Sequence, residues 1–68
     1  MSFILLFDIP KGNRTLATRV FRNLRRINAE MVQYSAWRSD SLEDLMEIAM
    51  LIKFHGGSAR ILEEKFIF

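Results

Sequence analysis

Phe3-Ile-Leu-Leu-Phe-Asp-Ile-Pro10 decides the fold. Five apolar residues, Phe3 to Phe7, run without a polar break, and Pro10 ends the run. A short continuous apolar stretch closed by a turn signal predicts a strand buried on both faces, hence one in the middle of a sheet. Asp8 stands at the exit of that strand, at the rim of the core, where the backbone is rigid and water still arrives. It is the first candidate for the centre of a chemical site.

Outward from this strand, Lys11-Gly12-Asn13 forms a loop, and Asn13 is placed to cap a helix by accepting from the free N–H groups of its first turn. The spacing of Leu16, Val20, Leu24 and Ile27 predicts a helix over about 14–27 with one apolar face, widened by Ala17 and Phe21. Five arginines (Arg14, Arg19, Arg22, Arg25 and Arg26) and no acid occupy the rest of it. That is not the pattern of a helix stabilised by its own ion pairs. The next stretch, 30–38, is rich in aromatic and β-branched residues and reads as a strand. Val32, Tyr34 and Ala36 alternate with Met31, Gln33, Ser35 and Trp37. The second set forms a mixed face, open or at an interface, unless the strand breaks near Ser35 into two short ones. Ser41-Leu-Glu-Asp44 opens a second helix with acids in its first turn. That helix runs to about His55, with Leu42, Leu45, Ala49 and Ile52 as its inner face, and Gly56-Gly57 stops it. Residues 58–62 read as a strand, and 65–68 as its continuation or a further short strand, with Glu63-Glu64 a turn or bulge between them. Strand, helix, strand, helix, strand, with the second and third strand regions each open to division, predicts an α+β sandwich of ferredoxin-like type with both helices on one sheet face.

Sixty-eight residues make one domain, 1–68, with no linker or repeat. So short a chain buries only about 60% of its unfolded surface. With no cysteine, neither a disulfide nor a thiolate metal site can staple it. Half of its residues are hydrophobic, which is hard to bury in one small monomer, and a homodimer is the natural solution. There is no signal-type leader, and no apolar stretch approaches the roughly 20 residues of a membrane span. A soluble, cytoplasmic protein is expected. Charge is uneven: residues 1–34 hold six Lys/Arg and two Asp/Glu, whereas residues 35–68 hold four and six. The first half is therefore a candidate face for a polyanion.

The residues Phe7-Asp8-Ile9-Pro10, then Arg14, then Val32-Gln33-Tyr34-Ser35-Ala36-Trp37 resemble the CRISPR-associated Cas-two-like superfamily. That group includes the spacer-acquisition proteins, the VapD toxins and a domain of PaaX-type repressors. The resemblance implies a ferredoxin-like fold, in which the first strand ends in aromatic-Asp-Ile/Val and the second carries a Gln-x-Ser-Val-aromatic signature. Asp8 matches the family's proposed metal-binding aspartate, Ser35 the serine beside it, Arg14 a basic residue after the Asp loop, and Gln33 the first signature position. Ala36 and Trp37 replace the usual Val-Phe, and Arg38 the usual acid. The C-terminus is short where the spacer-acquisition proteins exchange a terminal strand. A stand-alone relative fits these departures better than a CRISPR role.

Each candidate has two readings. Asp8 either binds Mg²⁺ or Mn²⁺, with a second Asp8 across a twofold axis supplying the missing charge, or caps its own turn before Pro10. The arginine face either meets phosphates or is solvated and paired with Glu43, Glu47, Glu63 or Glu64. Trp37 either stacks a base or packs in a core or interface. Phe66 and Phe68 make an apolar strand edge that invites pairing with another chain. His55, the only histidine, ends a helix and gives no serine triad. Three functions follow: a dimeric nucleic-acid-binding or scaffold module, a metal-dependent endonuclease using paired Asp8 carboxylates on RNA or DNA, or a protein–protein interaction module. The first is favoured.

Overall fold

The apolar run forms β1 (Ser2–Asp8), and it lies inside a four-stranded sheet. The computed structural model describes residues 1–67. After β1 come α1 (Arg14–Arg26), β2 (Glu30–Gln33), β3 (Ala36–Ser39), α2 (Leu42–Phe54) and β4 (Ser58–Glu64). The strand order is β2-β3-β1-β4, and all three pairings are antiparallel. This is the ferredoxin-like α+β layout, with β1 central and β4 at an edge.

Local chemistry sets the helix limits. The Asn13 side chain accepts from the Leu16 N–H at 3.0 Å, and the Ser41 hydroxyl accepts from the Asp44 N–H at 3.3 Å. Both helices close in the same way. Asn28 (φ 58°) and Gly56 (φ 87°) take the left-handed conformation, and the residues after them, Ala29 and Gly57, donate back to Leu24 and Ile52. Gly57 also has a packing reason. A Cβ there would lie 2.5 Å from the Asp8 carbonyl and 2.6 Å from Ile52 Cγ2, so the chain passes against the exit of β1 only without a side chain.

The core lies between one sheet face and the helices. Leu5 and Phe7 of β1 meet Leu16, Val20 and Leu24 of α1, and Leu45, Ile48, Ala49 and Ile52 of α2. Phe3, Ile27 and Ile61 are only half-buried, and Leu42 is exposed; each sits at the margin of this layer rather than its middle. The expectation that β1 is buried on both faces is corrected. Both helices cover the Phe3-Leu5-Phe7 side, and Ile4 and Leu6 face the other side, where only sheet neighbours shield them.

The stretch 30–38 is not one strand. Tyr34-Ser35 is the turn of a β2–β3 hairpin, with a register irregularity between Met31 and Gln33. The single mixed face of Gln33, Ser35 and Trp37 therefore does not exist. Gln33 pairs with Ala36 on the open side of the sheet, while Trp37 pairs with Leu5 and Met31 on the core side. Trp37 is 6% exposed and donates from Nε1 to the Tyr34 carbonyl at 3.0 Å. Of its two readings, core packing is the one observed, and it offers no surface to a base or a partner. β4 runs unbroken through Glu63-Glu64, where a turn or bulge was expected. Residues 65–67 form no strand, with Phe66 exposed, and Phe68 lies outside the described residues. Among the described residues, no helix is long and apolar enough to cross a membrane.

Candidate nucleic-acid interface

Strand register brings Asp8 to its neighbours. Asp8 pairs with Ser58, and Leu6 pairs with Arg60 on one side and Ala36 on the other. Ala36 pairs in turn with Gln33. In an antiparallel sheet the diagonal neighbour is within reach of a long side chain, so Arg60 stands diagonal to Asp8 on the same open face. The Ser35 carbonyl accepts from the Phe7 N–H at 3.1 Å and ties the hairpin turn to the strand end. Asp8, Gln33, Ser35, Ser58 and Arg60 thus line one hollow of about 340 Å³. The hollow brings together three of the candidate residues, Asp8, Gln33 and Ser35, and leaves out Trp37. Ser58 and Arg60 were not anticipated, because only the β1–β4 register puts them there.

Three hollows adjoin one another through shared lining residues. The Asp8 hollow shares Phe7, Asp8 and Ser35 with a second of about 290 Å³, whose other lining includes Ala17, Phe21 and Tyr34. Those last three residues also line a third hollow, of about 520 Å³, with Arg14, Arg22 and Arg25. Taken together they make a trough from the arginine helix, past Tyr34, and round the exit of β1 to Asp8 and Arg60 on the open sheet face. Four arginines and one aspartate line it.

The arginines divide by helix geometry. At about 100° per residue, Arg14 and Arg25 fall on the flank toward Tyr34, Arg22 on the crest, and Arg19 and Arg26 on the flank toward α2. Arg26 accordingly lines a small crevice with Asp44 and Glu47, and leans on the Asn23 side chain at 3.4 Å. All five are exposed, and among the described residues none makes an ion pair. The expected partner Glu64 is taken. It binds Arg38 in a two-point contact, both bonds 2.6 Å, and accepts from the Ser2 hydroxyl at 2.6 Å. Arg38 also bridges to Glu30.

Hydrogen bonds from Arg38, then from Ser2, hold the Glu64 carboxyl below the usual glutamate range, against the opposing effect of its burial. A carboxyl lowered by folding adds stability above its unfolded pKa, and that stability is lost as pH falls through the lower folded-state value. Glu64→Gln is therefore expected to lower the melting temperature at pH 7, with the gap from wild type closing as pH falls below the usual glutamate range. A gap that stays constant with pH would show that the carboxylate charge is not what stabilises.

As a metal site one chain offers too little. Among the described residues no three of His, Cys, Asp and Glu come together. Asp8 shares its hollow with neutral oxygens and with the Arg60 cation, a poor donor set for Mg²⁺ or Mn²⁺, which favour oxygen ligands including carboxylates. A larger hollow, about 790 Å³, lies elsewhere, between α2 and the β4 edge, lined by Leu42, Met46, Met50 and Leu62 among others. No protein-family model matches this chain, and no curated protein is significantly similar to it.

Proposed function

We propose that this chain is a cytoplasmic, homodimeric Cas-two-like module that binds nucleic acid as a scaffold rather than as an enzyme. The observation that carries this reading is the trough. Three arginines with no ion-pair partner among the described residues share it with an exposed aromatic ring, and a fourth arginine stands at its far end. Unpaired guanidinium groups exchange counterions for phosphates, and binding of that kind weakens steeply with salt.

The dimer is supported by uncovered apolar surface. Met46, Met50 and Leu62 line the groove beside the β4 edge, and Phe66 is 78% exposed close by in sequence. A second copy using the same surface would cover both.

The second reading is a Mg²⁺- or Mn²⁺-dependent endonuclease acting on RNA or DNA. It is favoured by the exposed position of Asp8 at the end of the trough, and it requires a second Asp8 from the partner copy. The third, a protein-binding module, needs no oligonucleotide at all. One set of measurements separates them. Sedimentation is expected to show a dimer at micromolar concentration that removal of residues 65–68 weakens. Oligonucleotide affinity is expected to fall with salt and to be the same with Mn²⁺ or with chelator. Cleavage that appears with Mn²⁺ and vanishes in Asp8→Asn would replace the scaffold by the nuclease, and affinity flat across salt would remove phosphate contacts.

A further inference from the structure

We propose that the exposed ring of Tyr34 is a base-stacking platform, and that the strand held along the trough is single-stranded. This rests on the nucleic-acid reading above and adds to it the substrate class and the residue that selects it.

Tyr34 is 74% exposed, yet it is not loose. Its ring leans on Phe21 at 5.0 Å between centroids, and Phe21 is braced in turn by Phe7 at 6.0 Å and Trp37 at 5.9 Å. The turn that carries it is pinned twice through main-chain carbonyls, by the Trp37 indole on residue 34 and by the Phe7 N–H on residue 35. Its hydroxyl has no hydrogen-bond partner among the described residues. A large aromatic ring is thus held mostly in water, braced by a tilted contact with Phe21. Arginines flank it on one side, and the Asp8 hollow lies on the other.

An isolated exposed tyrosine is ordinary on a protein surface. A rigid one at the middle of a basic trough is the arrangement that binds single strands: cations follow the backbone while an aromatic face takes a base. The bases of a duplex are stacked on one another and have no free face to give, so the platform discriminates against paired nucleic acid.

The test uses fluorescent twelve-nucleotide probes: oligouridylate, oligodeoxythymidylate, an abasic strand of the same length, and a duplex. Wild type is expected to prefer the two base-bearing single strands. Tyr34→Phe keeps the face and should stay within about twofold. Tyr34→Leu keeps bulk against Phe21 but has no π-face, and should bind those strands about 5- to 150-fold more weakly. Its affinity for the abasic strand should not change. Circular dichroism checks the fold, which the substitution should preserve because both pinning bonds end on main-chain carbonyls and neither uses the Tyr34 side chain. If wild type binds the abasic strand or the duplex as tightly as oligouridylate, or if the Leu and Phe variants bind alike, the platform is overturned while the arginine reading stands. An oligoglutamate peptide binding as tightly as the oligonucleotides would also overturn it, because charge alone would then explain the site. If no probe binds wild type even at low salt, the nucleic-acid reading itself has failed, and the platform with it.

Discussion

Leu24→Ala is expected to lower the unfolding free energy by about 2–5 kcal/mol. Leu24 is fully buried, in the same core cluster as Val20, Leu45, Ile52 and Leu5. Truncation removes its transfer free energy and leaves a cavity walled by both helices and the sheet, which cannot collapse independently. A chain of this length has roughly 3–10 kcal/mol of total stability, so one such change removes a large share of it. Chemical denaturation at fixed protein concentration measures the loss. Val32→Ala, at an exposed position on an edge strand, should stay within about 0.5 kcal/mol. A cost below about 1 kcal/mol for Leu24→Ala would mean that α1 is not seated on the core as described.

Changing Arg14, Arg22 and Arg25 together to Glu is expected to abolish oligonucleotide binding at micromolar protein. Each reversal deletes a cation from the trough and puts a like charge beside the phosphates. With about 0.7 counterion released per single-strand phosphate contact, neutralising the same three as Gln should reduce the log–log salt slope by about 2. Arg19→Glu with Arg26→Glu is the internal control. Those two lie on the flank toward α2, Arg26 beside Asp44 and Glu47, and should weaken binding far less. All five arginines are at exposed positions, so folding should survive these substitutions. Equal losses from the two sets would show diffuse attraction to a basic helix rather than a strand lying in the trough.

Much of the architecture is legible in the chain itself, wherever the signal is local. The caps at Asn13 and Ser41, the stop at Gly56, and the apolar spacing of Leu16, Val20 and Leu24 each act within a turn or two, and each appears where it was read. The uninterrupted run Phe3–Phe7 likewise marks β1 as central. Its neighbours are another matter, because register is a long-range choice. A turn at Tyr34-Ser35 rather than a continued strand sends Gln33 and Trp37 to opposite faces, burying the expected aromatic and leaving Tyr34 in water. Period two makes this unavoidable: a break in pairing changes which face the following residues occupy. Pairing across 50 residues sets Ser58 and Arg60 beside Asp8, and pairing of Ser2 with Glu64 and of Ile4 with Arg38 gathers the ion pair that takes up Glu64. Basic character along α1 is written in its composition. Which three of its five arginines can share a trough with an aromatic ring was decided only when the hairpin folded over Phe21.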